Sequence, residues 1–237
     1  MSLQPIILCG GEGKRLWPVS NKILPKQFIK FFGKKSLFEL TIERLQSIRN
    51  CKLPIIVLSK NHQFLVEDIL KNYKQEATLI FEPHSKNTTA AIYLAASYAH
   101  KKDTLLIMPS DHIIPNVREF SDIIINADSK LDNKSWMLFG IIPNIPSTEF
   151  GYFQTEKHSK KDSVQIIKSF VEKPSIGKAL EMVNSGKYLW NSGIFLVKVK
   201  KALSSIKIHA PEVVKICNKL FHKQHPKNKD NKIFFDI

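Results

Sequence analysis

A glycine-rich turn followed by basic residues lies near the start of the chain and could hold a phosphate group. Gly10, Gly11 and Gly13 follow an apolar run, and Arg15 and Lys26 come soon afterwards. Glycine lets the backbone turn tightly and present its N–H groups to an anion, whose charge basic side chains neutralise. The glycine spacing matches neither a Walker A loop nor a dinucleotide fingerprint. We therefore expect a phosphate-binding loop of another kind.

A carboxylate in the segment MPSDH could bind a divalent cation. Asp111 stands just past the apolar run Thr104–Pro109, between Ser110 and His112. Mg²⁺ usually takes one or two protein carboxylates and fills its remaining positions with water and phosphate oxygens. His112 would suit zinc, but no further ligand stands at zinc-site spacing. We expect Asp111 to bind Mg²⁺, while a turn or a helix cap is the alternative explanation.

The segment EPHSKNTTAAI carries polar side chains where a strand is expected to end and a helix to begin. Glu82, Asn87 and Thr88 offer the donors and acceptors that could read the edge of a nucleotide base. Asn87 as a simple helix N-cap would explain much of the same pattern. The segment alone is therefore a weak indication of base recognition.

Two later segments have the composition of a sugar-phosphate site. In FVEKP, Glu172 can accept hydrogen bonds from sugar hydroxyls, while Lys173 can pair with a phosphate. Asn191 in WNSGIF adds a donor and an acceptor, and Gly151 in EFGYF would allow a sugar ring to approach closely. Taken alone, these residues fit ordinary strand ends equally well.

These residues follow short apolar runs that alternate with amphipathic stretches. Near-continuous hydrophobicity is typical of parallel strands covered on both faces. Helix signals stand between the runs, such as the capping box that Ser36 and Glu39 form before LFELTIERLQSI. The alternation predicts a doubly wound, Rossmann-like sheet, in which ligands bind beyond the carboxyl ends of the strands. The predicted strands are Gln4–Cys9, Pro54–Ser59, Ala77–Glu82, Thr104–Pro109 and Trp136–Ile141.

The pattern changes after Pro143. The stretches FGYFQTE, VQIIKSFVEKP and SGIFLVK have the composition of strands, and SIGKALEMVNSG that of a helix capped by Gly186. We expect these strands to be mixed or antiparallel and to lie beside the parallel core. The predicted fold is therefore α/β, with a mixed but mostly parallel sheet.

Length and composition favour one domain over residues 1–237. The chain has 237 residues, 43% of them hydrophobic, which is enough for one substantial core. No run approaches the roughly 20 apolar residues of a membrane helix, and the start of the chain lacks the features of a signal peptide. Three scattered cysteines do not form a disulfide framework. We expect a cytoplasmic protein without a membrane partner.

The charge of the chain indicates an anionic partner. The formal net charge is +15, but only four of the 36 basic residues are arginines, and the lysines are spread along the chain. A nucleic-acid binder more often concentrates Arg and Lys with aromatic residues on one element. We therefore expect a phosphorylated small molecule and no nucleic acid. A homo-oligomer is compatible with the sequence, which does not determine the oligomeric state.

Taken together and in order, the motifs resemble those of the mannose-1-phosphate guanylyltransferases of the bacterial type. The resemblance covers Pro5 to about Val199 and rests on GGEGKRLWPVS, PKQF, EPHSKNTTAAI, MPSDH, FGYF, FVEKP and LWNSGIF. It implies a sugar-nucleotidyltransferase fold of the glycosyltransferase-A-like type. It also implies that GTP and mannose 1-phosphate are converted to GDP-mannose and pyrophosphate, for use in polysaccharide biosynthesis.

The resemblance also implies roles for single residues. Arg15, Lys26 and Asp111 would be catalytic, with Asp111 as the ligand of Mg²⁺, and guanine would be read near Glu82. The nucleotide-binding residues would be Gly10, Gly11, Gly13, Arg15, Glu82, Asn87, Thr88 and Ser110. The sugar-phosphate-binding residues would be Gly151, Glu172, Lys173 and Asn191.

The end of the chain departs from the family. Members of this family continue further and contain another aspartate that resembles a second metal ligand, so we expect this chain to lack its carboxyl-terminal part. The isomerase domain of longer members is not expected here. Two alternatives therefore stay open. One is a non-catalytic or partner-dependent remnant that binds nucleotide or sugar phosphate, and the other is a nucleotidyltransferase for another sugar 1-phosphate.

Overall fold

The structure is a computed structural model, and the contacts within it divide the chain into two compact units. The first unit is Met1–Trp136 with Leu196–Ile237, and the second is Met137–Phe195. The expectation of one domain over residues 1–237 stays a prediction. The residues that the structure describes are 2–11, 16–31, 33–82, 88–155, 164–223 and 232–234.

Strands and helices alternate along the first part of the chain, as the sequence predicts. The strands are β1 (Leu3–Cys9), β2 (Ile55–Ser59), β3 (Thr78–Glu82), β4 (Thr104–Pro109), β5 (Trp136–Ile141), β6 (Tyr152–Gln154), β7 (Ser169–Val171), β8 (Tyr188–Lys198) and β9 (Lys232–Phe234). The helices are α1 (Leu37–Gln46), α2 (Gln63–Asn72), α3 (Thr88–Tyr98), α4 (Val117–Lys130), α5 (Ile176–Ser185), α6 (Val199–His209) and α7 (Pro211–Lys223).

The first unit is built on a parallel sheet with the strand order β4-β1-β2-β3-β9. Ile6 of β1 lies opposite Ile55 of β2 and Ile107 of β4. Ile6 and Ile107 are fully buried, because helices cover both faces of such a sheet. The carboxyl ends of these strands share one edge, and the predicted phosphate, metal and base residues follow them.

Helix α1 shows how local sequence sets an element of this unit. The Ser36 hydroxyl accepts a hydrogen bond from the Glu39 N–H at 3.2 Å, and the Glu39 carboxylate accepts one from the Ser36 N–H at 2.6 Å. The predicted capping box is therefore confirmed, and it defines where the helix begins. Phe38 and Ile42 are buried on the inner face of the helix.

The second unit contains antiparallel pairs, in which β6 lies between β7 and β8. Helix α5 packs on one face through Ala179 and Met182, which form a small core with Tyr152. The helix ends at Gly186, whose φ of 63° is the left-handed conformation of a glycine cap, as predicted. The strand expected in VQIIKSFVEKP is limited to Ser169–Val171, because the facing strand β6 pairs over only three residues.

The predicted fold class is confirmed by this architecture. The sheet is parallel in its core and antiparallel in the second unit, so it is mixed but mostly parallel. In the described part of the chain, no helix has the length and apolar character needed to cross a membrane.

Candidate active site

The glycine turn follows β1 at the carboxyl edge of the parallel sheet. Gly11 has a φ of 97°, which L side chains rarely adopt, although a Cβ there would meet no described atom within 4 Å. Backbone conformation rather than space therefore requires glycine at this position. Gly10 is exposed beside it. Gly13 and Arg15 lie outside the described residues, so their phosphate-binding roles stay predictions.

Gln27 connects this turn to the short helical turn that carries Lys26. The Gln27 side chain is buried, and its Nε2 atom donates to the carbonyl oxygens of Cys9 and Gly11, each 3.5 Å away. Lys26 is only partly exposed. The contacts of Gln27 therefore hold the basic residue next to the glycine turn.

Asp111 lies two residues after the end of β4 and forms an ion pair with Lys26. The backbone N–H of Ser110 donates to the carbonyl of Leu8 at 3.2 Å, which ties the start of the Asp111 segment to β1. The structure thus joins two predicted catalytic residues that the sequence places in separate motifs. The Ser110 side chain is buried and hydrogen-bonds with the Cys9 thiol, and its nucleotide contact stays a prediction.

The chemistry of Asp111 fits a magnesium ion better than zinc. Within the described ranges, no cluster of three or more His, Cys, Asp or Glu side chains could hold a metal ion. Zinc sites need three or four protein ligands, whereas Mg²⁺ accepts one carboxylate and takes its other oxygens from water and phosphate. The Asp111 side chain is 22% exposed and can therefore meet a hydrated ion.

His112 lies beside Asp111, with its Nε2 atom 3.9 Å from Asp111 Oδ1. Burial lowers the pKa of His112; the Asp111 charge opposes this shift, and the charges of Arg44 and Lys26 add to it. The imidazole is therefore neutral near pH 7, and it adds no positive charge to this edge of the sheet.

The predicted base-reading residues lie at the end of β3 and the start of α3. Glu82 is the last residue of β3 and is 8% exposed. Burial raises the pKa of its carboxyl group from 4.5 to about 7. Thr88 is the first residue of α3, while Asn87 lies outside the described residues. The use of these three residues in base recognition stays a prediction.

Three of the predicted sugar-phosphate residues form a row across the antiparallel strands of the second unit. Tyr152 lies opposite Val171 on one side and Trp190 on the other. Since both pairs of strands are antiparallel, one step back from Tyr152 is one step forward on each partner, and the next row is Glu172, Gly151 and Asn191. The Asn191 N–H donates to the Gly151 carbonyl at 2.8 Å. Side chains in one row point to the same face of a sheet.

The absence of a side chain at Gly151 lets its neighbours approach. An added Cβ would lie 2.6 Å from Glu172 Oε2 and 2.7 Å from Phe170 Cζ, and both distances are too short. The Glu172 carboxylate therefore lies over Gly151, where it can accept hydrogen bonds from a ligand. The Asn191 Oδ1 atom already accepts from the Gly193 N–H at 3.0 Å, which leaves its NH₂ group as the donor.

Lys173 turns the backbone immediately after this row. Its φ of 45° is unusual for a residue with a side chain, and such conformations cluster at functional sites. The Lys173 Nζ atom lies 3.9 Å from Glu172 Oε1, and about half of each side chain is exposed. The structure therefore places a basic residue and a carboxylate together, and their use in binding a sugar phosphate stays a prediction.

Comparison with known proteins identifies the family. A family model described as nucleotidyl transferase matches residues 4–236. The chain belongs to the nucleotidyl transferase family.

Relatives within the family agree with the motif resemblance. The mannose-1-phosphate guanylyltransferase of Escherichia coli is 39% identical over 222 residues, which are 91% of this chain and 47% of that protein. A crystal structure described as mannose-6-phosphate isomerase from Helicobacter pylori is 31% identical with a TM-score of 0.81, over 99% of this chain and 85% of that one. A second crystal structure, described as mannose-1-phosphate geranyltransferase from Thermus thermophilus, is 26% identical with a TM-score of 0.82. The match covers 95% of this chain and 66% of that one.

These comparisons confirm the resemblance and the predicted type of fold for this nucleotidyl transferase. The chain spans about half the length of the curated relatives that it matches. The comparisons therefore establish the family, and the activity and substrates are proposed from the geometry of the site.

Sequence reasoning missed two residues that support the site of this nucleotidyl transferase, Gln27 and Arg44. Arg44 lies on the inner face of α1, and its Nη2 atom donates to the carbonyl of His112 at 2.7 Å. An available signal was the position of Arg44 among the mostly apolar residues of one helix face. Gln27 gave no comparable signal, because its contacts run to backbone atoms distant in sequence.

Proposed function

We propose that this chain transfers the guanylyl group of GTP to mannose 1-phosphate, giving GDP-mannose and pyrophosphate. The observation that carries the proposal is the Lys26–Asp111 ion pair beside the glycine turn, at the carboxyl edge of a parallel sheet. A basic residue and a metal-binding carboxylate at that edge suit a triphosphate and its cation. The name of the Escherichia coli relative supports the choice of guanosine and mannose.

The reaction is one phosphoryl-type displacement. A phosphate oxygen of the sugar phosphate bonds to the α-phosphorus of GTP, while the bond from that phosphorus to the bridging oxygen breaks and pyrophosphate leaves with the electron pair. Such a transfer depends on positioning and charge neutralisation, so it needs no covalent nucleophile on the protein.

The first unit would bind the nucleotide. Backbone N–H groups of Gly10 and Gly11 would contact the triphosphate, with Gly13 and Arg15 continuing the same loop. Lys26 would neutralise charge on the reacting phosphates. Further nucleotide contacts, including those to guanine, would come from Glu82, Asn87, Thr88 and Ser110.

The second unit would bind mannose 1-phosphate. Glu172 would accept hydrogen bonds from sugar hydroxyls, and Asn191 would donate through its NH₂ group. Lys173 would pair with the phosphate, since its side chain is about half exposed. Gly151 would leave room for the sugar ring over the middle strand.

Asp111 would hold a magnesium ion together with the nucleotide. When bound, the ion would neutralise charge on the phosphate oxygens that it contacts. The partly exposed Asp111 carboxylate suits Mg²⁺ shared with a phosphate, because this ion needs only one or two protein carboxylates.

Pyrophosphate release by the purified 237-residue chain tests the proposal. The reaction contains GTP, mannose 1-phosphate and Mg²⁺, and each component is omitted in turn. ATP, UTP and dTTP replace GTP in parallel reactions, and glucose 1-phosphate replaces the mannose compound. We expect release only when GTP, mannose 1-phosphate and Mg²⁺ are all present, with GDP-mannose formed in equal amount.

Other outcomes separate the alternatives. Preference for another nucleotide or sugar phosphate would indicate a different nucleotidyltransferase. Absence of release from folded protein that still binds GTP or mannose 1-phosphate would favour the non-catalytic or partner-dependent chain. Mannose 6-phosphate is also offered alone, because the Helicobacter pylori structure carries an isomerase name, and we expect no fructose 6-phosphate.

A further inference from the structure

A buried arginine contacts the loop that carries Asp111. Arg44 lies in the third turn of α1 and is 1% exposed. Its Nη2 atom donates to the His112 carbonyl at 2.7 Å, and its guanidinium carbon lies 5.5 Å from the centre of the Phe120 ring. The guanidinium therefore connects α1, α4 and the segment after β4.

Hydrogen bonds on either side of Asp111 restrain its backbone. On one side, the Ser110 N–H donates to the Leu8 carbonyl of β1 at 3.2 Å. On the other side, the His112 carbonyl accepts from Arg44. The Asp111 backbone is therefore held on both sides, and of these two contacts only the second is made by a side chain.

Burial of Arg44 is costly, which argues against a purely structural role. Its Nε and Nη1 atoms are buried and have no hydrogen-bond partner among the described residues. Burial also lowers the pKa of the guanidinium to about 10, so the group is still charged at pH 7. Apolar residues of similar volume often replace a buried charge without loss of stability. The charge is incompletely paired, and its hydrogen bond to the His112 carbonyl lies beside Asp111, which points to a role in positioning that residue.

We propose that Arg44 is a positioning residue that holds Asp111 in the orientation needed to bind the metal ion together with the nucleotide. The inference rests on the proposed function, in which Asp111 is the metal ligand. Arg44 itself contacts neither substrate nor metal in this proposal and acts through the backbone of His112. Removal of a residue that orients a metal ligand without touching the metal typically lowers metal affinity by about 10- to 100-fold.

The test compares Arg44→Met, which removes the donor group, with Arg44→Lys, which keeps the charge and a donor group but not the planar guanidinium. Ile42→Val on the same helix is the matched control, because it shortens a fully buried side chain without changing a charge or a hydrogen-bond donor. Hydrogen exchange of the amides of residues 110–114 is measured on folded protein without ligands. Binding of Mn²⁺ in the presence of GTP is measured by electron paramagnetic resonance.

We expect Arg44→Met to exchange faster at residues 110–114 and to bind Mn²⁺ about tenfold or more weakly. Arg44→Lys should recover part of both properties, and Ile42→Val should match the parent protein. Unchanged exchange in Arg44→Met, or faster exchange with unchanged Mn²⁺ affinity, would overturn the proposal. If Arg44→Met does not fold, the same two readouts on Arg44→Lys decide between these outcomes.

Failure of the proposed function would be distinguishable from failure of this inference. If the parent protein binds no Mn²⁺ with GTP, the metal and nucleotide assignment is wrong whatever Arg44 does. If the parent protein binds both and Arg44→Met binds them equally well, only the positioning role is wrong.

Discussion

Lys26 and Asp111 form an ion pair that joins the short helical turn Lys26–Phe28 to the segment after β4. The two side chains are the proposed phosphate and metal contacts of the nucleotide site. Since a metal ion on Asp111 would compete with Lys26 for the same carboxylate, binding of the ion should be easier once Lys26 has another anion to contact. The phosphates of a nucleotide would supply that anion.

Lys26→Met should separate these two effects. Without the competing ammonium group, Mn²⁺ should bind the nucleotide-free protein more tightly, while turnover falls by about a hundredfold or more because charge on the reacting phosphates is no longer neutralised. Calorimetry measures the first effect and pyrophosphate release the second. The exposed Lys30→Met is the matched control and should change neither. Weaker Mn²⁺ binding in Lys26→Met would contradict the competition.

Asp111→Asn should remove most metal-dependent turnover while the protein stays folded, because the side chain is partly exposed. Loss of about 4 kcal/mol of transition-state stabilisation would lower the rate by roughly 10³. Turnover is measured across a range of Mg²⁺ concentrations, and thermal unfolding reports the fold. Asp122→Asn, at an exposed position of α4, is the control. Unchanged turnover in Asp111→Asn would remove the metal assignment.

Gly151→Ala should impair sugar-phosphate binding. The added Cβ would lie 2.6 Å from the Glu172 carboxylate and would displace it from its position over the strand. We expect the KM for mannose 1-phosphate to rise about tenfold or more, equivalent to about 1.4 kcal/mol, with the GTP affinity unchanged. Steady-state kinetics with each substrate varied in turn measure the effect.

Gly177→Ala is the matched control for that substitution. Gly177 lies in α5, and a Cβ there would meet no described atom within 4 Å. Alanine should stabilise the helix by up to about 1 kcal/mol and leave both KM values unchanged. An equal rise of the KM in both variants would show that the clash with Glu172 is not the cause.

Glu82→Gln should change how stability depends on pH. The native carboxyl has a pKa of about 7 against 4.5 unfolded, so the native state holds its proton more tightly. Stability contributed by this group therefore falls as pH rises from 4.5 to about 7, and the loss is complete above that range. The shift corresponds to about 3 kcal/mol.

Glutamine cannot ionise, so the variant should lack this loss, and its stability relative to the parent protein should be greater at pH 8 than at pH 5. Urea unfolding at both values measures the difference. Glu76→Gln is the control, because Glu76 is exposed. If Glu82→Gln and the parent protein show the same change between pH 5 and pH 8, burial does not shift the Glu82 carboxyl as described.

Local features of the fold could be predicted from the sequence because neighbouring residues determine them. The capping box of Ser36 and Glu39 involves residues three positions apart, and the cap at Gly186 depends on one residue that tolerates a positive φ. Continuous apolar runs such as Thr104–Pro109 identify buried parallel strands for the same reason. The strand in VQIIKSFVEKP was harder to delimit, because its length depends on β6 across the sheet.

The motifs by themselves predicted the chemistry that we propose for the site: cations for a phosphate, one carboxylate for a metal ion and polar residues for a sugar phosphate. Tertiary structure decided which of them meet. It paired Lys26 with Asp111, aligned Glu172 with Gly151 and Asn191, and brought Arg44 to the His112 carbonyl. These contacts join segments far apart in the chain, and they depend on strand register and helix packing, which no local pattern of residues specifies.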